Sequence, residues 1–254
     1  MKVTVEEPKL GEANSHNIKL YKELQEQFVK NRNDRFYDYL LKKRMLNKDM
    51  IDTFELGYNN RFFYSKKNEP TIAKDSITIP FRDFRGRIVA FQSRFIDVLK
   101  INGQEFRYFF THNLPFVYQR SKYIYNLNNV LTNHYNRVAI LVEGVFDLIS
   151  LYQLGIHNVI SPLQNRLTLE QTEVLRRYFD KLYFLMDKGE SGEVILSKNN
   201  LRLYELNLLK IQVKDIDGVE LKDANDMLKA GIDIRAFMKK NKQVVENPNV
   251  GGGD

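Results

Sequence analysis

Hydrophobic positions change their spacing twice along this chain. Residues 1–15 are polar and aperiodic and read as a flexible leader. Between Asn17 and Val29, the positions Ile18, Tyr21, Leu24 and Phe28 recur at three- and four-residue steps, which predicts a helix. A second helix is expected over Asp34 to Lys43. Asn47 ahead of Met50, Ile51 and Phe54 reads as a capped helix start, with Gly57 as its stop. From Ser76 the pattern becomes alternating and β-branched. Ile77 to Phe81 and Arg87 to Phe91 flank the turn Asp83-Phe84-Arg85-Gly86, so a β-hairpin is expected inside a small mixed α+β lobe.

Near Arg137 a third spacing begins, in which short apolar runs alternate with helix-period segments. Strands are expected at Val138 to Val142, Asn158 to Ser161, Leu182 to Met186 and Leu208 to Val213. Helices are expected at Val145 to Leu154, Leu169 to Phe179, Glu193 to Tyr204 and Asp223 to Leu228. That βαβα order predicts an α/β fold, a parallel sheet flanked by helices. The expected organisation is a leader at 1–15, a basic lobe at 16–135, an α/β domain at 136–240 and a disordered tail at 241–254. The closing Gly-Gly-Gly-Asp and the opening Met1 leave both a minimal complete protein and a fragment of a longer one open.

Composition narrows the chemistry. The 254 residues contain no cysteine, which excludes disulfides, thiolate catalysis and cysteine-based zinc sites, and the four histidines lack metal-ligand spacing. No zinc is expected, and any metal should be a hard, oxygen-bound ion. The longest apolar runs are too short to span a bilayer and there is no signal-type segment, so no membrane partner is expected and the setting is read as cytoplasmic. A formal net charge of +7 favours a polyanionic partner.

Against that basic background stand four acidic stretches: Glu143-Gly-Val-Phe-Asp147, Asp187-Lys-Gly-Glu-Ser-Gly192, Asp215-Ile-Asp217 and Lys222-Asp-Ala-Asn-Asp226. Taken singly, each is a solvated turn or a helix cap. Glu143 and Asp187, however, directly follow strands at the carboxyl edge of a parallel sheet, where ligands collect, and are expected to face each other. Carboxylates gathered there can hold Mg²⁺ and leave room for water and phosphate, the arrangement of metal-assisted phosphoryl transfer.

The first, second and fourth of these stretches, in this order, resemble the TOPRIM module of DnaG-type bacterial and phage primases. The preceding lobe extends the resemblance. Tyr39 to Leu46 followed by Ile51 to Tyr58 resembles the start of the primase RNA polymerase core, and Ile79 to Arg94 resembles its basic hairpin. Arg107-Tyr-Phe109 and Tyr118 to Tyr125 lie where that family has segments facing template and nucleotide. The resemblance covers roughly Asp34 to Lys229. It implies a DNA-directed RNA primer synthase dependent on Mg²⁺ or Mn²⁺. The implied partners are single-stranded DNA, ribonucleoside triphosphates and a replicative helicase, in a bacterial or phage-infected cell. Glu143 and Asp187 would be catalytic. Glu143, Asp187, Asp223, Asp226 and Glu190 would serve the metal, with Asp147 as a supporting acid. Arg82, Arg87, Arg94, Arg107, Arg120 and Lys122 would contact template or nucleotide, with aromatic side chains between them offering faces to bases.

Two departures from the family pattern bear on activity. Gly189 stands where the family places a second aspartate, which implies a weakened metal position, and the absence of cysteine removes the zinc-ribbon domain that such primases carry in front. A catalytically weak homologue acting as a nucleic-acid- or replisome-binding module is therefore a second reading. A TOPRIM nuclease is a third, with no nuclease partner domain to support it.

Overall fold

The computed structural model describes residues 12–60, 75–83, 85–101, 103–110, 123–164, 166–185, 187–188, 207–211, 213, 215–216 and 218–244. They form two compact units, one within 6–119 and the other within 120–254.

In the first unit α1 (Glu12–Lys30) is followed by α2 (Asp34–Tyr37), whose start is capped by Asn33 Oδ1 accepting the Phe36 amide at 3.0 Å. The chain then widens into a π-turn segment over Asp38–Lys43, where the Arg44 amide reaches back five residues to the Tyr39 carbonyl at 3.0 Å. The expected cap at α3 (Lys48–Thr53) is present, with Asn47 Oδ1 accepting the Met50 amide at 2.9 Å. Four antiparallel strands follow, β1 (Gly57–Asn59), β2 (Ser76–Arg82), β3 (Ile88–Ile101) and β4 (Gln104–Phe110), in the spatial order β1-β2-β3-β4.

The β2–β3 hairpin forms as expected. Asp83 organises its turn by accepting the Arg85 and Arg87 amides, each at 2.9 Å, on one carboxylate oxygen. Its core is made by α1, which lays Tyr21, Leu24 and Phe28 against Ile88 and Phe91. The Phe91 ring meets those of Tyr21 and Phe28 edge-on, at centroid distances of 5.5 and 5.4 Å.

Several expectations for this unit change. α1 starts at Glu12, inside the segment read as leader. Gly57 is not a helix stop but opens β1, and its reason is crowding: a Cβ there would lie 2.6 Å from Phe28 Cβ and 2.7 Å from Thr78 Oγ1. β3 runs well beyond Phe91 and pairs with β4, a second hairpin whose strand Gln104–Phe110 is mostly exposed and so lacks the apolar alternation that would announce it.

The second unit opens with α4 (Leu127–Asn133) and continues β5 (Val138–Val142), α5 (Val145–Gln153), β6 (Val159–Ile160), α6 (Leu169–Tyr178), β7 (Lys181–Leu185), β8 (Asn207–Ile211), α7 (Ala224–Lys229), α8 (Ile234–Asn241) and β9 (Lys242–Val244). The sheet order is β6-β5-β7-β8-β9, with the first four strands parallel and β9 antiparallel on β8. The β-strands and helices of the sequence reading recur within a residue or two, while Glu193 to Tyr204 lies outside the described residues.

Here too there are differences. β9 occupies part of the segment read as a disordered tail, because the open edge of β8 supplies hydrogen-bond partners that a polar Lys-Gln-Val run does not advertise. Residues ahead of Arg137 join this unit as well. Tyr125 exchanges backbone hydrogen bonds with Ser161, at 2.7 and 3.2 Å, and Asn126 Nδ2 donates to the Val159 carbonyl at 2.8 Å. Among the described residues, no helix is long and apolar enough to cross a membrane.

Candidate functional site

The parallel strands deliver the acids to one rim. Glu143 follows β5 directly, Asp187 lies two residues past the end of β7, Asp147 sits in the first turn of α5, and Asp223 is the N-cap of α7, accepting the Asp226 amide at 2.8 Å. Carboxylate oxygens of Asp147, Asp187 and Asp223 all lie within 4.8 Å of one another, and all three side chains are half-buried. Unit charges at that separation repel by about 3 kcal/mol per pair at an effective dielectric near ~20. Uptake of a proton or a cation relieves a cluster of this kind. The proton effect is visible at Asp187: burial first, then the charges of Glu143 and Asp223, push its carboxyl up to about 7 against the pull of Lys222.

Glu143 is thus close enough to act on Asp187 but is not a member of the converging triad. Its own backbone is fixed by Ser161 Oγ, which donates to the Glu143 carbonyl at 2.8 Å. Asp226 is drawn aside: its two oxygens accept from the Lys222 amide at 3.2 Å and from Lys229 Nζ at 2.8 Å. Gly189 and Glu190 lie outside the described residues. Asp147, read from sequence as a supporting acid, is one of the three that meet.

The contacts that hold Asp147 beside Asp223 escaped the sequence reading. The Asn225 amide approaches Asp147 Oδ1 at 3.4 Å, while Asn225 Nδ2 donates to Ser150 Oγ at 2.9 Å, and Ser150 Oγ donates to the Phe146 carbonyl at 2.7 Å. Both Ser150 and Asn225 are fully buried, so α5 and α7 are joined by a satisfied polar bridge under the carboxylates. The available signal was spacing: Ser150 lies three residues after Asp147 and shares its helix face. Gly144 has a local reason as well, since a Cβ there would fall 2.8 Å from Asp147 Oδ2. Gly144→Ala should therefore displace Asp147 and weaken divalent-cation affinity by about tenfold with little loss of stability. Titration with Mn²⁺ checks it, and unchanged affinity would mean that Asp147 is not a ligand.

A Toprim-like family profile matches residues 140–228, the segment from β5 through most of α7. A curated DNA primase of Clostridium acetobutylicum is 26% identical over 156 residues, which cover 60% of this chain and only 24% of that protein. Among solved structures, the zinc-binding and RNA polymerase domains of the Aquifex aeolicus primase superpose with a TM-score of 0.75 at 20% identity, over 93% of this chain and 63% of that one. A DnaG primase catalytic domain bound to single-stranded DNA superposes with a TM-score of 0.70 at 16% identity, over 90% of this chain and 82% of that one. Residues 140–228 are Toprim-like, and the chain has the fold of DnaG-type primase catalytic cores.

Within the basic unit, the arginines divide by environment. Arg82 pairs with Glu55 and donates to the Gly86 carbonyl at 2.6 Å. Arg87 is clamped by Asp83 through Nε at 2.8 Å and Nη2 at 2.6 Å, and so closes the hairpin turn. Arg94 is buried. Its Nε donates to the Tyr39 hydroxyl at 3.0 Å, its Nη1 to the Arg107 carbonyl at 3.4 Å, and its guanidinium lies 4.7 Å from the centre of the Tyr108 ring. Burial acts to raise the Tyr39 phenol, but the Arg44 and Arg94 guanidiniums outweigh it and hold the group below its usual value. Arg107 is the exposed one of the four, with Glu105 at 3.9 Å. Arg120 and Lys122 lie outside the described residues. Phe81 and Phe91 are core, whereas Tyr108 is exposed on β4.

Proposed function

We propose that this chain synthesises short RNA primers on single-stranded DNA by divalent-metal-dependent nucleotidyl transfer. The observation that carries the reading is the convergence of Asp147, Asp187 and Asp223 at the carboxyl rim of the sheet. Three hard oxygen donors, one of them pushed up to about 7 by burial and by the neighbouring negative charges, fit Mg²⁺ or Mn²⁺. Bound there, such an ion would activate a ribose 3′-hydroxyl and neutralise triphosphate charge. The protein's own part is positioning. Asp147, Asp187 and Asp223 hold the donor geometry, Glu143 adds negative charge at its edge, and the Ser150–Asn225 bridge keeps α5 against α7.

In the basic unit, Arg107 and the aromatic Tyr108 beside it on β4 are the residues suited to phosphate and base contact. Arg82, Arg87 and Arg94 would shape that surface chiefly through their internal pairings. Single-stranded DNA as template is supported by the similar DnaG catalytic domain solved with it. Ribonucleoside triphosphates and a replicative helicase complete the proposed set of partners.

One observation favours the second reading, a nucleic-acid-binding homologue without primer synthesis: Gly189 stands where the family pattern carries another carboxylate. A gel assay for labelled RNA on mixed single-stranded templates, with Mg²⁺ or Mn²⁺ and with or without a dinucleotide starter, separates the two. Product from the wild type, reduced at least about a hundredfold in Glu143→Gln, is expected. DNA binding without product under every condition would overturn the enzymatic reading in favour of the binding module.

A further inference from the structure

Asp215 is not one of the three converging carboxylates, yet it is tied to the segments that carry two of them. Lys188, the neighbour of Asp187, donates through its backbone amide to the Lys222 carbonyl at 2.8 Å and through Nζ to Asp215 Oδ2 at 2.6 Å. The other oxygen of Asp215 accepts the Leu221 amide at 3.0 Å. These three hydrogen bonds close a small ring between the end of β7 and the segment that enters α7. The ring's two sides carry Asp187, adjacent to Lys188, and Asp223, adjacent to Lys222. Nothing else described in this loop joins the two segments so directly, and the carboxylates it brings together repel each other.

We infer that Lys188 and Asp215 form a positioning latch that sets the separation of Asp187 and Asp223 and so tunes divalent-cation affinity at the rim. The inference rests on the reading that these carboxylates hold the cation. Lys188 is not itself directed at the acids: its charge is committed to Asp215, so it fixes the loop without occupying the place of a cation. The side chains of the pair are 43% and 45% exposed, where an ion pair adds little to global stability. Its removal should therefore be felt locally, in the geometry of the acids, before it is felt in folding. The latch also gives Asp215 a role that acidity alone does not suggest, since it faces a lysine and a backbone amide rather than the triad.

The test is Mn²⁺ affinity of the full chain, measured by the loss of the free-ion paramagnetic resonance signal, for Lys188→Met, Asp215→Asn, the double variant and Lys188→Arg. Each single variant should weaken binding about tenfold, the double variant no more than either single one, and Lys188→Arg should keep most of the affinity. The melting temperature should move little in all four. Singles that bind as tightly as wild type, or effects that simply add in the double variant, would overturn the latch while leaving the metal reading intact. A drop in melting temperature with unchanged affinity would likewise reduce the pair to a structural contact. Wild type that binds no Mn²⁺ at all would overturn the latch together with the reading beneath it.

Discussion

Asp187→Asn is expected to abolish divalent-cation binding and, without metal, to make the protein more stable than wild type at pH 8. The folded carboxyl is pushed up to about 7 by burial and by Glu143 and Asp223, from an ordinary value of 3.8. An unfolded chain releases this proton near the ordinary value, whereas the folded one keeps it to about 7. Between those two pH values the folded state binds the extra proton, so metal-free stability falls as pH rises through the window and stays low above it. Discounted for partial solvent access, the penalty at pH 8 is on the order of 2 kcal/mol. The amide removes it, because an uncharged side chain no longer adds to the repulsion. The same proton competes with a cation. Wild-type Mn²⁺ affinity should therefore rise up to about tenfold per pH unit toward neutrality and level off above about 7. Urea unfolding at pH 6 and pH 8, paired with Mn²⁺ titration, measures both. A variant no more stable than wild type at pH 8 would place Asp187 in open solvent and remove the electrostatic argument for the site.

Phe91→Ala should carry the largest cost in stability, about 3 to 5 kcal/mol. Phe91 is fully buried on β3, and the rings of Tyr21 and Phe28 from α1 meet it edge-on. Truncation leaves a cavity that α1 cannot close, since Gly57 already lets that helix approach as near as its backbone allows. Mn²⁺ affinity, measured under conditions where the variant remains folded, should be unchanged, because the carboxylates belong to the other unit. A loss of stability below about 1 kcal/mol, measured by guanidinium unfolding, would mean that α1 does not close this core.

Periodicity made much of the second unit legible. Val138 to Val142 and Leu182 to Leu185 are continuous apolar runs in mostly buried parallel strands, and strands of that kind announce themselves. The capping chemistry was legible for the same local reason: Asn47 and Asp223 bond to amides only three residues ahead. The exposed strand β4 and the edge strand β9 were not, because pairing with a neighbouring strand, rather than a pattern in their own side chains, defines them as strands.

The site divides in the same way. By itself the sequence determined which acids lie at the strand ends, since a carboxylate within a residue or two of a parallel strand's carboxyl end emerges at that rim. Only the tertiary structure decided which of them meet. It brought Asp147 into the triad from a helix turn, left Glu143 at its flank, turned Asp226 toward two lysines, and spent Arg82, Arg87 and Arg94 on internal partners. The arrangement of the acids depends on how α7 docks on α5 through Ser150 and Asn225 and on how Lys188 reaches Asp215. Such contacts join residues 75 and 27 positions apart. A one-dimensional pattern fixes directions along an element, whereas distances between elements are set by packing.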